Sequence, residues 1–141
     1  TAATARNSHL MTVVMTSPVG GPCTEVLLHE CLAMATVATV CGASMLLGVR
    51  SAVGVNPNHC TGLEARFNGE VGHAAAGMDR EQAEAIVQRA VAAYEPLMDT
   101  KPVGKAFWEA YDPVTLCPTT EWLGVYDRVK EQAIGWGMPL R

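Results

Sequence analysis

The sequence predicts an α/β fold with parallel strands, and three observations carry that prediction. Two short apolar runs, residues 10–15 (LMTVVM) and 45–49 (MLLGV), each lead into a segment rich in proline and glycine, which reads as a buried strand followed by a loop. Between them, residues 23–40 are apolar on nearly every side and long enough for a helix. Both runs are apolar throughout rather than alternating, so both faces of each strand expect to be covered. The order strand, helix, strand then requires parallel pairing through a right-handed crossover.

Each element follows from local chemistry. The opening Thr1-Ala-Ala-Thr-Ala-Arg6 has no cap or turn signal and reads as the tail of a helix begun earlier, which suggests a fragment boundary. The first strand is closed by Ser17-Pro18-Val19-Gly20-Gly21-Pro22, a tight turn whose glycine pair could cradle an anion but lacks the lysine of a phosphate-binding loop. Gly42 is placed to end the following helix in the left-handed conformation. Thr61-Gly62-Leu63-Glu64 has capping-box spacing, so a helix should start there and run to about Gly77. Asp79 caps the next helix, whose Ala83, Ile86, Val87, Ala90, Val91 and Tyr94 repeat at helical spacing. A brief helical piece from Phe107 to Tyr111 precedes a final amphipathic helix carrying Trp122, Val125, Tyr126, Val129 and Ala133, closing at Gly135 or Gly137. Two doubly covered strands cannot make a stable sheet alone, so further strands are expected from sequence outside this one or from another chain.

Composition narrows the function classes. Of the 141 residues, 49% are hydrophobic and 17% charged, with a formal net charge of −4 and no cluster of Lys and Arg, which argues against a nucleic-acid backbone as partner. No apolar run reaches the eighteen or so residues that cross a bilayer, and no secretion signal opens the chain. The five cysteines (Cys23, Cys31, Cys41, Cys60, Cys117) are scattered without a C-x-x-C pair, which fits reduced thiols in a cytoplasm and points to neither a disulfide framework nor a zinc site.

Several residues are candidates for chemistry. Cys23, at a helix start, is either a reactive thiolate or, the favoured reading, a small buried residue. Glu25 and His29 stand four apart and are expected to form a local pair rather than ligate a metal. Glu64 is expected to serve the cap, and Arg66 with Glu70 an ion pair, although in a parallel barrel the segment after the second strand lies on the face where sites are built.

The blocks Gly21-Pro22-Cys23-Thr24-Glu25, Thr61-Gly62-Leu63-Glu64-Ala65-Arg66 with Gly69-Glu70-Val71, the set Gly104, Lys105, Phe107, Tyr111 and Asp112, and the set Thr115, Pro118, Thr119, Glu121, Val125, Tyr126 and Asp127 resemble the carboxy-terminal third of the monomethylamine methyltransferases. They occur in the same order at nearly the same separations. The resemblance implies a TIM-type (β/α)8 barrel, with residues 1–78 supplying its last strand-helix units and residues 79–141 a C-terminal helical extension packed on it. It further implies transfer of a methyl group from monomethylamine, a small methylated amine, to the Co(I) of a corrinoid (cobalamin) carried by a separate cognate corrinoid protein, with no cofactor bound directly. Many members hold the amine with a pyrrolysine, which would lie upstream of Thr1. The pocket-rim candidates are Met15, Ser17, Cys23, Glu25, Glu64 and Arg66. Met15 and Ser17 depart from the pattern, for the pyrrolysine-containing members carry Gln and Tyr there. Two other readings stand beside this one: a relative without pyrrolysine acting on another methylated amine, and a non-catalytic module for docking or homo-oligomer assembly.

Overall fold

The computed structural model describes residues 1–100 and 102–141. A short exposed helix α1 (Ala2–Asn7) leads to strand β1 (Val13–Thr16), helix α2 (Glu25–Val40) and strand β2 (Met45–Val49). Helices α3 (Gly62–Ala75) and α4 (Arg80–Tyr94), the single turn α5 (Phe107–Ala110) and α6 (Thr120–Gly135) complete the order.

The caps form as the sequence requires. Thr24 caps α2 by accepting from Leu27 N at 3.3 Å, and Asp79 caps α4 by accepting from Glu81 N at 2.8 Å. At the other end of α2, Gly42 takes φ 79°, while Gly42 N bonds Thr39 O and Ala43 N bonds Ala38 O, both at 2.9 Å, the paired closure of a Schellman motif. The capping box at Thr61 and Glu64 is made on both sides.

β1 and β2 pair in parallel, Val13 with Met45, Val14 with Leu46, and Thr16 with Val49, so β2 spends one extra residue between the last two pairs. β1 starts later than its apolar run suggests. Leu10 and Met11 are 71% and 83% exposed, because the partner strand begins only at Met45 and an unpaired apolar segment is not a strand. Of the two faces expected to be covered, the described residues cover one, and the other is left for the further strands the sequence expects. α2 and α3 pack on one side of the pair, whereas Val13, Met15, Met45 and Leu47 stay exposed on the other, as the period of two in a strand requires when helices lie on one side only.

One hydrophobic core runs through the whole molecule, joining Leu27, Leu28, Leu32, Phe67, Val71, Ile86, Trp122 and Val129. α2 sits at its centre and is buried on most of its circumference. The helices beyond Asp79 share this core, since α4 and α6 both pack against α2. No helix among the described residues is long and apolar enough to cross a membrane.

Candidate functional site

Parallel strands end at the same side of a sheet, so the loops after β1 (residues 17–24) and β2 (residues 50–61) meet there. Three backbone bonds lace them together: Arg50 N to Thr16 O (2.8 Å), Val53 N to Pro18 O (2.8 Å) and Ala52 N to Gly20 O (2.9 Å). The second loop is held in an unfavourable shape. Ala52 (φ 49°, ψ 39°) and Val53 (φ 55°, ψ 11°) are consecutive left-handed residues, each costing roughly 1–3 kcal/mol, and such strain persists only where the surroundings impose it.

Beneath the two loops lies a layer of buried polar side chains. Thr16 Oγ1 donates to Asn68 Oδ1 at 2.9 Å, tying the end of β1 to α3. Ser51 Oγ donates to Glu64 Oε1 at 3.0 Å, and Glu64 also accepts from the amide and hydroxyl of Thr61. Trp122 Nε1 reaches Thr61 Oγ1 at 3.1 Å from α6. Glu30 accepts from the successive amides Val19 N (3.0 Å) and Gly20 N (2.8 Å). Burial raises the Glu30 and Glu64 carboxyls above the usual glutamate value, even though their hydrogen bonds pull the other way.

The rim candidates separate into two groups. Met15, 43% exposed, lies on the open face of the strand pair, and Ser17 follows it half-buried at the base of the first loop. Glu64 holds the start of the second helix unit, as its spacing predicts. Arg66 pairs with Glu70 at 2.7 Å, and Glu70 also receives Tyr126 Oη (2.5 Å) and Lys130 Nζ (3.2 Å). Burial alone would raise the Glu70 carboxyl, but the bonds from Tyr126, Arg66 and Lys130 together hold it below its usual value. Arg66 is thus committed to the α3–α6 flank.

The local Glu25–His29 pair does not form. α6 offers Arg128 and Gln132 one turn apart, matching Glu25 and His29 one turn apart. Arg128 Nε bonds Glu25 Oε1 at 2.9 Å, and His29 Nε2 meets Gln132 Oε1 at 2.8 Å while its ring stacks on Trp136 with centroids 5.7 Å apart. Burial lowers the His29 pKa, opposed by Gln132 and Glu25.

Cys23 is not a thiolate at a helix start. It precedes the cap residue Thr24, takes φ 67°, and burial followed by the charge of Glu121 pushes its thiol up to about 11 against the opposing Lys105. At pH 7.5 its thiolate fraction should be roughly 300-fold below that of an ordinary cysteine of pKa ~8.5. Iodoacetamide followed by peptide mapping is expected to label exposed Cys60 and Cys117 well before Cys23, and equal labelling would contradict this assignment.

The anion cradle of Val19-Gly20-Gly21 is filled from within, because the anion on its amides is the carboxylate of Glu30. No sequence motif singles out Thr16, Glu30, Ser51, Ala52, Val53 or Asn68. Glu30 and Asn68 left a trace: each is a polar residue among the mainly apolar buried positions of its helix.

The sequence model of the family described as Monomethylamine methyltransferase MtmB matches residues 1–138. The chain belongs to the MtmB family. Monomethylamine methyltransferase MtmB2 of Methanosarcina barkeri (strain Fusaro / DSM 804) is 40% identical over 121 residues, 86% of this chain and 26% of that protein. MtmB of Methanosarcina mazei shows the same identity and coverage. The chain therefore spans about a quarter of the length of these MtmB relatives. The crystal structure of the Methanosarcina barkeri MtmB superimposes with a TM-score of 0.92 at 36% identity, covering 96% of this chain and 30% of that one. A crystal structure of a hydroxylamine MtmB complex matches equally. The two parallel strands and their flanking helices are thus part of an α/β barrel of the MtmB kind.

Proposed function

We propose that the chain forms part of a cytoplasmic methyltransferase that moves the methyl group of monomethylamine to the Co(I) of a corrinoid carried by a partner protein. The observation that carries this reading is the match to MtmB over residues 1–138, with the loops at the strand ends held by a buried polar layer. That one relative is a complex with hydroxylamine supports a pocket for a small nitrogen base. In the transfer the C–N bond of the protonated amine would break, its electron pair leaving with nitrogen as ammonia while the Co(I) acceptor supplied the pair that binds the methyl carbon. Little of this needs a covalent step from the chain. Its contribution is position and fixed charge: Thr16 with Asn68 and Ser51 with Glu64 set the strand ends, and Met15 faces the side of the sheet that becomes the barrel interior.

The test is methyl transfer by the full-length protein to its corrinoid protein in the Co(I) state, followed by the visible spectrum of the corrinoid, with mono-, di- and trimethylamine supplied in parallel. Monomethylamine should be the fastest donor. Met15 and Ser17 favour a second reading, an enzyme for a different methylated amine, and faster turnover of di- or trimethylamine would replace the first reading by the second.

A further inference from the structure

Glu30 is costly where it stands. Only 5% of its surface is exposed, it lies in the middle of the most deeply buried helix, and among the described residues no Lys, Arg or His pairs with it. A buried carboxylate of this kind is less favourable than an apolar side chain of the same size unless its hydrogen bonds serve a purpose that packing cannot. Its two bonds both go to one place, the successive amides of Val19 and Gly20, which form a small concavity suited to an anion.

What those amides belong to gives the arrangement its direction. They are the turn of the β1 loop that carries Ser17 at its base. The carbonyls on either side of them reach across to the β2 loop, Pro18 O taking Val53 N and Gly20 O taking Ala52 N. Ala52 and Val53 are the two left-handed residues, so a continuous run of bonds leads from the Glu30 carboxylate, through the first loop, to the strained turn of the second. The loop is pressed down close: a Cβ on Gly20 would come within 2.5 Å of Leu27 N. Packing fixes how near the loop lies to α2, and the carboxylate fixes which way its peptide planes face.

We propose that Glu30 is a positioning residue for the amine site, setting the β1 loop, and through it the β2 loop, in the one arrangement in which Ser17 faces the substrate beside Met15 of the strand. This rests on the methyltransferase reading above. Glu30 does not touch the amine; it acts through the Val19 and Gly20 amides.

The experiment uses the full-length protein with Glu30→Gln, Glu30→Asp and Glu30→Ala. Gln keeps the shape but turns an amide donor toward one of the two N–H groups, Asp keeps the charge at a shorter reach, and Ala removes both bonds. All three are read by melting curve, by hydrogen exchange at the Val19 and Gly20 amides, and by KM and kcat for monomethylamine. Glu30→Gln is expected to melt as the parent does, to exchange faster at those two amides, and to lose on the order of 10²-fold in kcat/KM, mostly as a raised KM, with Glu30→Asp recovering part of the loss. A merely structural role would lower the yield of folded enzyme and leave KM unchanged. Parental KM in folded Glu30→Gln, or unaltered exchange at Val19 and Gly20, overturns the proposal for Glu30 alone. A parent protein that transfers no methyl from monomethylamine overturns the methyltransferase reading, and this assignment with it.

Discussion

Trp122→Ala is expected to cost about 3–5 kcal/mol of unfolding free energy, the largest loss from any single truncation in this core. Trp122 is fully buried, so the change removes a large apolar surface and leaves a cavity between α3 and α6 that a packed interior cannot collapse to fill. It also removes the Nε1 donor from Thr61 Oγ1 at 3.1 Å, loosening the cap at the start of α3 beside the second loop. Trp122→Phe separates the two contributions. It retains most of the apolar volume and gives up the hydrogen bond and part of the ring, and should cost about 1–2 kcal/mol. Urea unfolding of the full-length protein measures both as shifts in midpoint at constant slope. A loss under about 1 kcal/mol for the alanine variant would mean that Trp122 does not anchor α6.

Gly21→Ala should be nearly as damaging for a different reason. A Cβ there would lie 1.7 Å from Val103 O and 2.5 Å from Val103 C, closer than non-bonded atoms can approach. The obstacle is backbone, held by Gly21 N to Pro102 O and Lys105 N to Pro22 O, both at 2.9 Å. One segment must therefore move, at a cost of about 3 kcal/mol or more, and either movement breaks the contact that seats the loop Glu30 holds. Under the proposed function, methyl transfer by the full-length protein should fall with stability. Gly124→Ala is the control of opposite sign. In α6 the new Cβ would meet only Arg128 Nη1 at 3.7 Å, and the substitution should gain about 0.5–1 kcal/mol from helix propensity. A Gly21→Ala variant with the parent's melting temperature would refute the close approach of residues 21 and 103.

The contrast between these glycines shows what kinds of fact a sequence holds. The helix boundaries were legible because a cap is a contact between residues two to four apart: Thr61 with Glu64, Asp79 with Glu81, Gly42 with Thr39. β2 was legible for the same reason, as an apolar run bounded by turn residues. The start of β1 was not, since the strand exists only where Met45 and its successors offer a partner. The Glu25–His29 pairing failed in the same way, because residues of α6 about a hundred positions later compete for both side chains and win. The reactive reading of Cys23 depended on the helix beginning one residue earlier than Thr24 allows. Beyond the Thr61–Glu64 box, the pairings of the polar layer were unreadable because Thr16 and Asn68, or Glu30 and Gly20, meet only after α2 and α3 have folded against the strands.

By itself the amino-acid sequence determined the α/β class, the strand-helix-strand order, most helix ends and the MtmB resemblance, since each of these is written in residues near one another or in motifs read in order. Tertiary structure alone decided which polar side chains are buried together beneath the strand ends, which way Glu25 and His29 turn, and that Ala52 and Val53 hold a strained backbone. These are outcomes of distant segments competing for the same hydrogen bonds and the same space. The winner is set by how the core packs, and core packing is a property of the whole chain.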